Sequence, residues 1–436
     1  MRARDSGERL WIHGGRVVDP SQGLDGRAQV IVEAGRVAAV GPELERPEDA
    51  RSIDASGLVV APGFIDLHVH FREPGGEHKE TIASGARAAV AGGFTTVWAM
   101  PNTDPPIDDP AAVGFVKAAG EAARGARVMP IGAASIGMKG ERMTEIGGLV
   151  AAGAVAVSDD GAPVGHAGLM RRLLEYTQSF GIPVVQHSEV VELAAGGVMN
   201  EGSIATALGL RGIPNAAEAA MIARDALLSE LTGGHLHVCH VSARESVEQL
   251  RLARDKGLRV TSEVTPHHLI LTDEMVRGYN TEAKVNPPLR TERDVEAVRT
   301  ALVDGVIDVI ATDHAPHHYE EKEREFDDAP FGINGLETAF GLCMKALVAP
   351  GHMSLAQLID RMACAPARIM GMDGGTLRPG APADIVLLDP DEIWTVKPEG
   401  FVSRSHNTPV AGWTLPGRIR RTLVGGETRH EVEEDR

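Results

Sequence analysis

Short apolar runs alternate with longer amphipathic stretches through the middle of this 436-residue chain. The runs at 64–70, 95–100, 128–133, 154–158, 183–187, 236–240, 259–264 and 307–312 read as strands. Stretches between them, such as 79–91 (KETIASGARAAVA), 168–179, 216–230, 243–256 and 293–303, read as helices. Eight such alternations predict an α/β fold, a closed parallel (β/α)8 barrel of TIM type over residues 63–367. The chain ends have another texture. Residues 11–62, and the segments GAPADIVLLDP, EIWTVKP and RRTLVGGETRH, carry β-branched runs broken by Gly and Asp-Pro, as small antiparallel sheets require. The expectation is that 1–62 and 368–436 meet in one small β-rich composite domain.

Catalytic groups of such barrels sit at the C-terminal ends of the strands, so the polar residues there carry the functional reading. The stretch GFIDLHVHFREPG (63–75) is the centre of it. Strict alternation places Ile65, Leu67, Val69 and Phe71 on one face and Phe64, Asp66, His68 and His70 on the other. Two imidazoles then point the same way from a rigid element and can chelate one metal ion, and Arg72 follows as a fixed cation able to hold a carboxylate. The second strand ends in Met100-Pro101-Asn102-Thr103, the fourth in Asp159-Asp160-Gly161, the fifth in His187 and the sixth in His240. The seventh leads through Glu263 towards His267 and His268, and the eighth ends in Asp313, with His314 and His317 beyond.

Composition narrows the class. Hydrophobic residues make up 43%, enough for a large core, and no apolar run approaches a membrane span or a signal segment. Forty-three basic against 61 acidic residues give a net charge of −18, which opposes nucleic-acid binding. Three cysteines without paired spacing argue against a disulfide framework and for a reducing cytoplasm.

Four histidines and two aspartates at one barrel mouth suit a pair of borderline divalent ions, zinc first among them. A carboxylate between two cations softens their repulsion, and the water they share becomes acidic enough to supply hydroxide near neutral pH. A further carboxylate beside it can shuttle the proton to a leaving nitrogen. Such a machine hydrolyses an amide or related C–N bond or, in reverse, closes a ring. Plainer readings stand beside this one. Asp159 and Asp160 could each simply cap the following helix. His235 and His237 read as surface or packing histidines, and Cys239 as a core residue turned into the barrel wall. The run His314, His317, His318 is either polar loop or substrate contact. Residues 318–330 (HYEEKEREFDDAP) read as a solvated loop or as a lid over substrate.

Taken together, GFIDLHVHFREPGG (63–76), AMPNT (99–103), SDDG (158–161), HSE (187–189), HVCHVSARESV (237–247), EVTPHHL (263–269), NPPLR (286–290), ATDHAPH (311–317) and APFGINGLETAF (329–340) closely resemble the dihydroorotase family of the amidohydrolase superfamily, in its longer bacterial type I form. The resemblance implies a cytoplasmic enzyme of pyrimidine biosynthesis that reversibly cyclises N-carbamoyl-L-aspartate to L-dihydroorotate plus water, with two Zn2+ ions per chain. Carried over by motif, His68 and His70 with Asp313 would hold the first metal, and His187 and His240 the second. Asp160 would bridge them, and Asp313 would also act as the catalytic acid–base group. Arg72, Asn102 and His317 would bind the substrate α-carboxylate, while Asn286 and the Pro330-Phe331-Gly332 backbone would hold the ring amide. The expected partners are this small-molecule substrate, aspartate carbamoyltransferase and further copies of the chain, without nucleic acid or membrane.

Two departures stand out. Many superfamily members bridge their metals with a carbamylated lysine, but no lysine lies between Lys139 and Lys256, and Ser188 stands where some relatives have cysteine. Hydantoinases and allantoinases share the chemistry, and Arg72 is the feature that favours a substrate with a free carboxylate. A non-catalytic scaffold for the carbamoyltransferase is the contrasting alternative, disfavoured because all expected ligands are present.

Overall fold

Parallel strands and helices alternate from Phe64 onward in the computed structural model, which describes residues 9–432. The strands are Phe64–Val69, Phe94–Ala99, a third in two pieces (Arg127–Pro130 and Gly132–Ala133), Val157–Ser158, Val184–Gln186, Leu236–Val238, Val260–Val264 and Val309–Ile310. Each pairs in parallel with the next. The third strand breaks at Ile131, whose N–H reaches back to Ala99 O while Gly132 N–H reaches forward to Ala156 O. The helices begin where capping chemistry starts them: Thr81 and Ser84 form a capping box before Ile82–Ala91, and Asp109 caps Pro110–Ala123 with proline at its first position.

Between the eighth and first strands the regular ladder gives way to side-chain bonding. One bridge joins Val69 to His314, with His70 N–H on His314 O at 2.9 Å. Below it the buried Asp66 carboxylate accepts Thr312 N–H at 3.0 Å, the Thr312 hydroxyl at 2.6 Å and His68 N–H at 3.1 Å. The same place corrects the strict alternation expected of this strand. A bulge between Asp66 and Val69 shifts the register, so Ile65 and Leu67 pack in one cluster and Phe64, Val69 and Phe71 in another. The first cluster is drawn mainly from the strands, with Ala365 and Ala367 of a closing helix, and includes Trp98, Ile131, Val185 and Val309, which marks it as the barrel interior. The second contains helix residues such as Ile82, Val113 and Leu173, which marks it as the strand–helix layer. The extra residue turns His68 inward above Leu67, so one strand supplies both interior packing and two mouth imidazoles. Cys239 belongs to the interior cluster rather than to the outer wall, with its sulfur close to His68 and Glu263.

The chain ends form two sheets. One orders Arg36–Gly41, Gln29–Glu33, Leu10–His13 and Arg51–Asp54. In the other, Val59–Pro62 lies between Arg16–Asp19 and the C-terminal strand Ile385–Thr395, which continues to Thr414–Val424 and Glu427–Glu431. Asp19 joins the two halves. Buried, it accepts bonds from Ser21 N–H, the Ser21 hydroxyl and the Gln22 amide on one side, and from Leu377 N–H (2.7 Å) and the Thr376 hydroxyl (3.1 Å) on the other. The C-terminal segment also reaches the barrel: Ser403 bonds Glu80, the Ser405 hydroxyl donates to Lys79 O at 2.7 Å, and Asn407 bonds the loop after the eighth strand.

Asp19→Ala leaves several buried donors without an acceptor. It should lower unfolding free energy in urea by about 2–4 kcal/mol while leaving the activity of the folded fraction unchanged.

Candidate active site

The six residues expected to hold metal come together, all buried, at the C-terminal ends of the first, fourth, fifth, sixth and eighth strands. Asp160 stands at the centre. Its Oδ2 lies 3.3 Å from His68 Nε2 and 3.4 Å from His70 Nε2, while its Oδ1 faces His240 Nε2 at 3.5 Å and His187 Nδ1 at 3.9 Å. Asp313 Oδ1 sits 3.1 Å from His70 Nε2 and 3.4 Å from His68 Nε2. His187 Nδ1 and His240 Nε2 are 3.0 Å apart. Of the two adjacent aspartates, Asp159 is committed elsewhere, its carboxylate taking Ser135 N–H and the Ser135 hydroxyl. Lys139 lies in the separate turn that follows Ile136–Met138.

Proton positions make these contacts informative. His68 Nδ1 is 2.7 Å from Glu263 Oε1, so that nitrogen carries the hydrogen and Nε2 presents a lone pair. His70 Nδ1 donates in the same way to Asn102 Oδ1 at 2.8 Å. The two Nε2 lone pairs then face each other at 3.2 Å and face two carboxylates besides. Asp160 Oδ1 is buried and has no hydrogen-bond donor. Such an arrangement is repulsive unless a cation lies among these atoms. Zinc–nitrogen bonds of ~2.0–2.1 Å in a tetrahedron give ligand–ligand edges of roughly 3.3 Å, matching the spacings here. The donor set fits a pair of borderline divalent ions.

The electrostatics point the same way. Burial would lower His68, yet Asp160 and Asp313, with Glu263, raise it well above the ordinary imidazole value. Burial would likewise raise Asp160 and Asp313, but the surrounding imidazoles hold both below the usual carboxylate range. The cluster therefore draws in positive charge, as a proton on His68 or as a metal that displaces it. Two of these residues sit in left-handed backbone, His240 at φ 33° and Asp313 at φ 47°, as does Arg72 at φ 62°. Strain of this kind persists where the surroundings over-determine it.

Beside the cluster opens a cavity of about 330 Å³, lined by Arg72, Asn102, Asn286, Pro330, Phe331 and Gly332 together with His70, Asp160, His187, His240 and Asp313. Arg72 is the cation of this cavity. Burial lowers it to about 10, its Nε–H donates to Pro316 O at 3.2 Å, and its Nη2 lies 3.3 Å from His317 Nε2. Asn286 donates to Glu189 at 3.1 Å. Gly161 (φ +93°) and Gly332 (φ +150°) allow close approaches, since a Cβ would lie 2.7 Å from the Asn102 amide nitrogen and 2.7 Å from Ala315 O.

Some expectations change. Asn102 has its side-chain oxygen engaged by His70, so only its amide nitrogen is left for a ligand. His317 stands just behind the cavity wall, its Nε2–H donating to Phe331 O at 2.8 Å, and burial pushes it down to about 3, so it is neutral. His314 turns away from the cavity, with Nε2 3.5 Å from Glu80 Oε2, because Asp313 has already turned the backbone. Residues 318–330 are largely exposed, as a solvated loop is, but anchored: the buried Lys322 donates to Pro330 O and Gly332 O at 3.0 Å, and Lys284 donates to Phe326 O at 2.6 Å.

Residues 57–246 match the family model described as dihydro-orotase-like. The chain is 53% identical over 426 residues to the dihydroorotase of Anaeromyxobacter dehalogenans, covering 97% of this chain and 98% of that one. It is 51% identical over 418 residues to the dihydroorotase of Geobacter metallireducens, covering 96% and 98%. The chain belongs to the dihydroorotase family. Among solved structures, the L-hydantoinase (dihydropyrimidinase) of Arthrobacter aurescens superposes with a TM-score of 0.87 at 27% identity, covering 97% of this chain and 96% of that one. The dihydroorotase assignment thus rests on sequence likeness over nearly the full length, and the barrel architecture on structural likeness as well.

Two contributors to this dihydroorotase site were missed in the sequence. Glu263 bonds His68 Nδ1 and is itself held by His237 Nε2 at 3.0 Å. Burial would raise Glu263, but His68 and His237 bring it down to about 2, so it is a carboxylate. His237 is therefore not a packing histidine alone. The signal was a buried acid inside a β-branched strand, which has no reason to be there without a partner. Asn407 is the other. It lies in the C-terminal segment, far from every strand-end motif.

Glu263→Gln removes the anion that orients His68. Divalent-metal retention against a competing chelator should weaken about 10–100-fold, with little change in the KM of metal-replete enzyme.

Proposed function

We propose that this dihydroorotase uses two zinc ions, the first among His68, His70 and Asp313, the second between His187 and His240, with Asp160 shared. The observation that carries this reading is the division of Asp160, one oxygen toward each imidazole pair. Bound zinc supplies Lewis acidity, polarising an amide carbonyl and making water a nucleophile near neutral pH.

The protein's own groups do the rest. Arg72, a desolvated cation on the cavity wall, takes the α-carboxylate and so fixes which end of the substrate meets the metal side. Asn286 and the backbone of Pro330-Phe331-Gly332, on the other wall, hold the ring amide. Asp313 remains ionised and lies against the imidazole cluster. In ring opening it accepts a proton from the attacking water and delivers it to the departing ring nitrogen; in closure the same path runs backwards. Burial of the whole cluster keeps bulk water from competing for that proton. The gathering of all six donor residues in one place supports an active enzyme rather than an inert scaffold.

Arg72→Ala should raise KM for dihydroorotate by about 100-fold or more at unchanged zinc content, as expected when a desolvated charge pair loses one partner. Steady-state kinetics with atomic-absorption analysis checks this, and an unchanged KM removes Arg72 from the substrate site. Asp313→Asn should lower kcat by at least about 100-fold through loss of the proton carrier, with bound substrate analogue still detectable by calorimetry.

A further inference from the structure

Two stretches that follow the eighth strand, 315–317 and 330–332, are bridged by a side chain from the C-terminal segment. Asn407 is buried, 3% exposed. Its Oδ1 accepts His317 N–H at 2.9 Å, and its Nδ2 donates to both Ala315 O and Gly332 O at 3.1 Å. Its own backbone carbonyl accepts Asn334 N–H at 2.8 Å. The amide thus uses its acceptor and two donors on three main-chain groups of two different loops. That valence pattern fixes its orientation, because a flipped amide would set a carbonyl against carbonyls.

Two of the residues it holds, Ala315 and Gly332, line the cavity, and the third, His317, stands just behind its wall. The loop 315–317 carries Pro316 O, which receives Arg72 Nε–H, and His317, which props Phe331 O. Gly332 is the far end of the Pro330-Phe331-Gly332 wall. Asn407 thereby ties the stretch that supports Arg72 to the neighbouring Pro330-Phe331-Gly332 wall, alongside the direct bond from Ala315 N–H to Ile333 O at 2.9 Å. It touches none of the metal-donor residues in its hydrogen bonds. Its segment is anchored independently, since Asn334 Nδ2 donates to Ser405 O, Ser405 to Lys79 O, and Ser403 bonds Glu80.

We infer that Asn407 is a positioning residue for substrate binding: it ties the 315–317 loop, which supports Arg72, to the 330–332 loop, which forms the adjoining wall, in the relative placement that fits the substrate. The inference rests on the assignment of Arg72 to the substrate carboxylate. Asn407→Asp is nearly isosteric, keeps the acceptor for His317 N–H and turns both donors into acceptors facing Ala315 O and Gly332 O. Asn407→Ala removes all three bonds.

The test measures kcat, KM for dihydroorotate, zinc content and Tm for both variants, for Arg72→Ala and for the Arg72→Ala/Asn407→Ala double variant. The expected result is a KM raised about 10–100-fold in both Asn407 variants, with kcat and zinc content within about threefold of wild type. The double variant should bind no worse than Arg72→Ala alone, because the two substitutions act on one contact. An unchanged KM in Asn407→Asp overturns the inference. So does a fall of kcat, zinc content and Tm together, which marks a purely structural residue. An additive double variant overturns it too, by separating Asn407 from the carboxylate contact. If Arg72→Ala itself binds normally while Asn407→Asp does not, the failure belongs to the Arg72 assignment.

Discussion

Three buried carboxylates and four imidazoles share one small volume at the barrel mouth, and their joint demand for positive charge among them is the constraint on which the site depends. Asp160, Asp313 and Glu263 are all ionised, and Arg72 is the fixed cation nearest them on the cavity wall. Lone pairs of His68 and His70 point at one another and at two acids. Such a cluster holds its shape only because rigid strands impose it and because cations are drawn into it. The left-handed backbone at His240 and Asp313 is part of the same cost. A barrel suits this task, since strands pinned on both flanks resist the relaxation that would let the acids part.

The supporting elements follow from that demand. The bulge between Asp66 and Val69 turns two histidines inward without giving up the apolar interior beneath them. The carboxylate of Asp66 then replaces the missing ladder to the eighth strand, which tethers the His68 strand to the strand that carries Asp313. Glu263 and Asn102 fix the tautomers of His68 and His70 from behind. The cavity walls are built by a different device, namely buried lysines and an asparagine bonding main-chain carbonyls of long loops.

Much of this was legible in the chain. Strand–helix alternation exposed the barrel, and helix spans such as 216–230 and 243–256 fall within two residues of the observed Asn215–Thr232 and Arg244–Asp255. Short polar motifs at strand ends pointed to the six residues that gather at the barrel mouth, because such strand-end groups are local in sequence. What escaped was non-local or broke the period. The bulge defeats strict alternation over 64–71. The eighth strand is shorter than 307–312 because Asp66, not backbone, bonds Thr312. His317 carries the right motif but spends its Nε2–H on Phe331. Asn407 acts across a separation of 90 residues from His317, and no local pattern announces such a contact.

The central claim is that Asp160 holds two metal positions together, and the most direct measurement is zinc content alongside dihydroorotate hydrolysis for wild type and Asp160→Ala. Wild-type protein should carry about two zinc ions per chain and be active, and the variant should lose both metal and turnover while remaining folded. Full zinc occupancy and full activity in Asp160→Ala would contradict the account, leaving the paired imidazoles without the shared carboxylate on which this reading of the site depends.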